Sequence, residues 1–180
     1  MENKQTPELR LENVVWVNND VMSGAPCFID TRVPLSALLD ALSEGEPLEL
    51  FLRGYPCVSM DQAMKVLKLI DEDGVLYNKD KTVLICFPNH WQGDYVIPDG
   101  VKIIVNYAFR DCIELTSIAI PKSVVEIGKW VFTFWNSGEE VTGEDGKTSS
   151  WAGYCDLPAQ IIVHPENPVY ASENGKLIEK

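Results

Sequence analysis

This 180-residue chain has little of what most enzymes need. It has two histidines, His90 and His164. His90 sits in "PNHWQGD" and His164 in "VHPENP", both turn-forming contexts without a nucleophile beside them, so neither reads as a catalytic base. The five cysteines, Cys27, Cys57, Cys86, Cys112 and Cys155, are odd in number and far apart, with no Cys-x-x-Cys. That argues against a disulfide framework or a zinc site and leaves buried free thiols as the expectation. Neither Gly-x-x-x-x-Gly-Lys-Ser/Thr nor Gly-x-Gly-x-x-Gly occurs, so no phosphate cradle is encoded. Asp71, Glu72 and Asp73 read as a solvated helix end, because no further carboxylates follow at calcium-loop spacing. No cofactor, metal or catalytic residue is therefore expected.

Positive charge is also scarce. There are 15 basic against 27 acidic residues, a net charge of −12. Residues 1–75 carry −7 and residues 76–180 carry −5. Neither half has the basic footprint that phosphate backbones require, so nucleic acid is not an expected partner. No apolar run approaches the roughly 20 residues of a membrane span, and the first residues lack a basic stretch leading into an apolar one. The expectation is a cytoplasmic protein without a membrane contact.

Apolar residues make up 46% of the chain, enough for a core. Residues 1–12 read as disordered or loosely attached. "VVWVNND" (14–20) and Cys27 to Ile29 are short β-prone runs. Three helices follow. Leu35, Leu38, Leu39 and Leu42 fall at helical spacing behind Pro34, and Gly45 stops them. Pro47 opens a second helix with Leu48, Phe51 and Leu52, closed by Gly54. Ser59 and Gln62 form a capping box for "MDQAMKVLKLI", with Ala63, Val66, Leu67 and Ile70 on its buried face.

The order Gly24, Pro26, Ile29, Thr31, Arg32, Pro34, Leu38, Leu39, Leu42, Gly45, Glu49, Tyr55 and Pro56 resembles the bacterial antitoxin-like domain of unknown function four-three-three. Asp30 replaces the usual Gly before Thr-Arg. The resemblance implies a small winged-helix-like helical domain over residues 13–72. It also implies either neutralisation of a ribonuclease toxin or DNA binding by the helix-turn-helix, as in a transcriptional regulator of toxin-antitoxin type. In the DNA-binding alternative the contacts would be Gln62, Lys65 and Lys68.

The second half repeats itself. "IPDGVKIIVNYAF" (97–109) aligns with "IPKSVVEIGKWVF" (120–132) at an offset of 23 residues. "QIIV" (160–163) follows "SIAI" at 43, which is 23 plus an insertion of about 20. Leu115, Ile118 and Ile120 would point inward. This pattern resembles the BspA-type leucine-rich repeat and implies a short β-solenoid of about three coils over residues 73–180. "EDGVLYNK" (72–79) and "ENGKLIEK" (173–180) both match the short hairpin found between repeat blocks in that family, so the last residues read as the start of another hairpin.

The expected fold is therefore α+β, a helical unit joined to a repeat unit near Asp71–Gly74, with a hairpin inserted at 133–154. Asp94, Val96, Ser117, Ala119, Gln160 and Ile162 fall at outward strand positions. The insertion carries Trp135, Glu140, Glu144, Asp145 and Trp151 around an Asp-Gly turn signal, with the tryptophans flanking it. Either it is an acidic arm with an aromatic base or its tryptophans only close the core. The functional expectation is a non-catalytic protein-interaction protein. Asp94, Ser117, Gln160 and the insertion would face a protein partner, either a basic protein or a ribonuclease toxin. Oligomer formation stays open.

Overall fold

Short β-branched runs set the first layer. The computed structural model describes residues 9–137, 141–142, 148–149 and 152–180, with side chains for 9–134 and 156–180. Strands β1 (Leu9–Leu11), β2 (Val15–Val17) and β3 (Cys27–Phe28) form an antiparallel sheet in that order. β1 corrects the expectation of a loose segment over 1–12 at residues 9–12. Leu9 and Leu11 pack partly buried against the core, and the Glu12 carboxylate accepts a hydrogen bond from the Lys79 N–H at 3.3 Å. Residues 1–8 lie outside the described residues.

Three helices follow: α1 (Leu35–Ser43), α2 (Leu48–Gly54) and α3 (Met60–Leu67). Pro34 and Pro47 stand just before α1 and α2 with extended backbone, and Gly45 leaves α1 with φ +77°. The capping box of α3 forms as the sequence indicates: the Ser59 hydroxyl accepts from the Gln62 N–H at 3.1 Å, and the Gln62 amide oxygen accepts from the Ser59 N–H at 2.8 Å. α3 ends at Leu67, earlier than its apolar pattern suggests. Ile70 instead joins an antiparallel bridge to Leu76. Leu35, Leu38 and Leu39 of α1, Phe51 of α2, and Ala63 and Val66 of α3 are buried, while Leu67 and Ile70 are only half-buried.

The remaining strands are β4 (Leu76–Tyr77), β5 (Val83–Cys86), β6 (Gly93–Val96), β7 (Ile103–Ile104), β8 (Leu115–Ile120), β9 (Glu126–Ile127) and β10 (Thr133–Ser137), then β11 (Val141–Thr142), β12 (Thr148–Ser149), β13 (Ala152–Asp156), β14 (Gln160–Val163), β15 (Tyr170–Glu173) and β16 (Lys176–Glu179). One sheet runs β4-β5-β7-β9 and another β14-β8-β6. Within them every pairing but β4–β5 is parallel. The sequence offsets reappear as register. Asp94, Tyr95 and Val96 stand beside Ser117, Ile118 and Ala119, and Ile103 and Ile104 beside Glu126 and Ile127, all 23 residues apart. Gln160 to Val163 stand beside Ser117 to Ile120, 43 apart.

Repeated aromatic positions stack in the interior. Phe87 lies 4.6 Å from Phe109, and Phe109 lies 5.5 Å from Phe132, centroid to centroid. One apolar cluster runs from Phe28 and Leu38 through Leu84 and Phe109 to Ile161, so the helices and the repeats share a core. Asn106 ties them further. It is fully buried, its amide donates to the Asn19 side-chain oxygen at 3.2 Å, and its own oxygen accepts from the Lys129 N–H at 2.8 Å.

β15 and β16 form a hairpin whose turn, Asn174 and Gly175, has positive φ at both residues (51° and 75°), the geometry that favours Asn-Gly. The hairpin covers the outer edge of β14: Ile161 N–H donates to the Gly175 carbonyl at 2.8 Å and Val163 N–H to the Ser172 hydroxyl at 3.1 Å. An edge that would otherwise present unpaired N–H groups is thereby closed. In the insertion, β10 pairs antiparallel with β13 and β11 antiparallel with β12. Trp135 stands opposite Tyr154, so its directly opposite partner is not Trp151. No helix among the described residues is long and apolar enough to cross a membrane.

Candidate binding face

The outward positions of β6, β8 and β14 come together because parallel register places them side by side. A bulge shapes the face. Gly93 pairs with Leu115 but Asp94 with Ser117, which leaves Thr116 extra on β8. Leu115 and Ile118 then both point inward despite their odd spacing, and Thr116 and Ser117 both reach Asp94. Their hydroxyls donate to the same Asp94 oxygen, at 2.5 and 2.8 Å. These bonds, Thr116 first, hold the exposed carboxyl below its ordinary pKa, so Asp94 is a fixed anion. Ser117 lies between Asp94 and Gln160. Gln160 is exposed, and its stem lies against the Gly175 turn.

One pleat further on, Val96, Ala119 and Ile162 make a second row. Val96 is 69% exposed and Ile162 51%. The face thus offers a polar stripe beside an apolar one on strands whose backbone is fixed by neighbours. It can accept hydrogen bonds and cover apolar surface.

The other sequence-derived residues fall elsewhere. Trp135 is on β10, while Glu140, Glu144, Asp145 and Trp151 lie outside the described residues. Gln62 is committed to the fold at both ends of its amide, since its NH2 donates to the Ile29 carbonyl at 3.1 Å while its oxygen completes the cap. Lys65 pairs with Asp61 at 2.7 Å within α3, and Lys68 is exposed. Gln62 cannot read a base without breaking α3's cap, and only one of the two lysines is without an acidic neighbour on that helix. His90 is exposed, and His164 uses Nδ1 to accept from the Glu166 N–H at 3.2 Å. No group of His, Cys, Asp and Glu that could hold a metal occurs among the described residues. Cys27, Cys86 and Cys112 are buried free thiols as expected, but Cys57 is exposed, because the turn between α2 and α3 carries it outward.

A second feature had no signal in the sequence reading. A cleft of about 360 Å³ opens between α1 and the first repeat, with Ser36, Asp40, Phe87, Asn89, Arg110 and Asp111 among its walls.

A small helical module packed on parallel strands in 23-residue register is the architecture of a repeat-bearing protein. The comparisons agree, segment by segment. Residues 15–68 match the family described as protein of unknown function (DUF433), and residues 85–152 match the BspA type leucine rich repeat region. A leucine rich cell surface protein from Faecalibacterium prausnitzii A2-165 is 40% identical over 31% of this chain and 16% of its own, with a TM-score of 0.29. A leucine-rich repeat protein from Eubacterium ventriosum ATCC 27560 is 31% identical over 32% of this chain and 22% of its own, with a TM-score of 0.25. The chain thus spans less than a quarter of either protein's length. No curated protein matches it. Leucine-rich repeats generally mediate protein–protein interaction, and that is the role the repeat segment supports.

Proposed function

We propose that this chain is a non-catalytic, cytoplasmic protein-binding protein. Its parallel strands form a short solenoid of about three coils, and a winged-helix-like module, divided from them near Asp71–Gly74, closes one end. The observation that carries the reading is the alignment of Asp94–Ser117–Gln160 beside Val96–Ala119–Ile162 on one exposed sheet face. Interfaces combine such an apolar strip with a polar rim. A net charge of −12 and a carboxylate fixed as an anion favour a basic partner, and the antitoxin-like module favours a ribonuclease toxin as that partner. The insertion's Trp135, Glu140, Glu144, Asp145 and Trp151 would extend the same acidic surface.

The test is site-directed photo-crosslinking in the native host. A photoreactive residue at Val96 or Ile162 should trap one basic protein reproducibly, and a probe at Leu50 on α2 should not. Val96→Glu with Ile162→Glu should abolish the crosslink made from Ser117. A folded double variant that still traps the same protein would remove the sheet face from the interface. Replacing 137–149 with a Gly-Ser link tests the insertion separately.

A further inference from the structure

The cleft between α1 and the first repeat holds a carboxylate that Arg110 and His90 offset only in part. Asp40 projects from α1 into it, half-buried. Among the described residues no hydrogen bond or ion pair reaches its carboxylate. The charged groups around it are Asp111 and Glu44, both negative, and Arg110 and His90. Arg110 is engaged with Asp111 at 3.0 Å, and His90 is exposed. Burial, then Asp111, then Glu44, raise the Asp40 carboxyl above its ordinary pKa. Arg110 and His90 act the other way but more weakly, and a partly desolvated carboxylate without a direct ion pair is costly. The complement to that site is a positive charge.

The remaining walls say what should carry the charge. Pro26, Pro34, Leu39 and Phe87 supply apolar surface, and Ser36 and Asn89 supply neutral hydrogen-bonding groups. About 360 Å³ falls within the usual range for small-molecule sites, which favour junctions between packed units. One rim is built from Met22 and Ser23, consecutive non-glycine residues with φ of 47° and 56°. Such backbone is unfavourable and persists only where the surroundings enforce it. The next residue, Gly24, is also left-handed (φ 88°) and closely packed, since a Cβ there would stand 2.3 Å from the Asn106 amide nitrogen and 2.7 Å from the Asn19 oxygen. Tyr107 on the opposite wall is also left-handed (59°), but so is its repeat counterpart Trp130 (55°), so that feature belongs to the repeat and not to the cleft.

We propose that this cleft binds a small organic monocation, an ammonium group on an apolar body, with Asp40 as the counter-ion. The body lies against Leu39 and Phe87, and the ammonium group sits between Asp40 and the Ser36 hydroxyl. This site is separate from the sheet face, and its test does not depend on the protein partner.

Each of three ammonium probes is compared with its uncharged alcohol on the full chain: benzylamine with benzyl alcohol, phenethylamine with 2-phenylethanol, and tryptamine with tryptophol. Binding is read by calorimetry and by amide chemical-shift mapping. At least one amine should bind about tenfold or more tightly than its alcohol, the scale of one charge-assisted hydrogen bond. Shifts should centre on Ser36, Asp40, Phe87 and Asn89. Asp40→Asn should remove the amine's advantage and leave the alcohol's affinity unchanged, and Ser36→Trp should block both. The proposal fails if no amine outbinds its alcohol, if Asp40→Asn keeps the advantage, or if the shifts map elsewhere.

Discussion

Asn106→Ala should cost this protein several degrees of thermal stability, and the structure fixes how the loss divides. The side chain makes two hydrogen bonds, one to Asn19 and one from the Lys129 N–H. Removing a buried partner costs about 1–3 kcal/mol for each group left unsatisfied. Asn19 is half-buried and recovers some hydration, so its bond falls at the low end. The total comes to about 2–4 kcal/mol, and for a chain of this length each kcal/mol moves the melting temperature by about 2–4 °C. Circular dichroism melts should therefore place Asn106→Ala about 4–16 °C below wild type, and Asn19→Ala, which leaves the Lys129 bond intact, below wild type by a smaller amount. Gly128→Ala tests the same joint from the other side. Its Cβ would stand 2.4 Å from the Asn106 amide oxygen and 2.5 Å from the Asn106 backbone nitrogen. Combined with Asn106→Ala it should cost less than the sum of the two, because one of the two collisions is gone, yet more than Asn106→Ala alone, because the backbone collision remains. An Asn106→Ala shift below about 2 °C, or equal costs for Asn19→Ala and Asn106→Ala, would refute this account of the joint.

Three further outcomes follow from individual groups. Asp40 has a folded-state pKa above its unfolded one, so its ionisation costs stability at neutral pH, and the cost disappears as pH falls through the raised value toward the ordinary carboxylate range. Asp40→Asn should then melt higher than wild type at pH 7, with the gap closing on acidification; parallel melting curves from pH 7 to about 4 would contradict it. Alkylation of the native protein with iodoacetamide at mildly alkaline pH should modify Cys57 and spare Cys27 and Cys86, whose thiols burial pushes up to about 11 and about 12. Mass spectrometry showing Cys27 labelled as fast as Cys57 would show that its burial is not maintained in solution. Ser59→Ala should lower stability by about 1 kcal/mol through loss of the α3 cap, and Ser59→Asp should not. Equal melting temperatures for Ser59→Ala and wild type would mean the cap is energetically silent.

Much of the repeat half could be read from the sequence because its chemistry is periodic in the chain. Strand neighbours in a stacked array repeat the same inward residues, so an offset of 23 between Ile97 and Ile120 is also a spatial register. Local chemistry was equally readable: Ser59 and Gln62 are three apart and meet because a helix start brings them together. Asp30 shows why that position in the DUF433 pattern prefers Gly. Its φ is +59°, a left-handed turn that Asp tolerates better than most side chains. By contrast, Cys57 and the early end of α3 depend on where a turn releases the chain, which composition does not encode.

The Asp40 cleft was hidden for a different reason. The hydrophobic pattern of α1 records one buried stripe, Leu35, Leu38, Leu39 and Leu42, and assigns every other position to solvent. Asp40 falls off that stripe, so amphipathicity reads it as a surface carboxylate. The structure half-buries it because the Tyr107–Asp111 turn, some 70 residues away in the chain, faces α1 on its polar side. A helix covered from two directions carries only one of them in its apolar periodicity. The trace left in the sequence is the pair Ser36 and Asp40, four residues apart and so on one helix face, beside the apolar stripe. Small polar and acidic residues on that flank suit a wall that faces a polar ligand rather than a packed core. They are also what distinguishes a kept opening from an imperfect fit between two apolar surfaces.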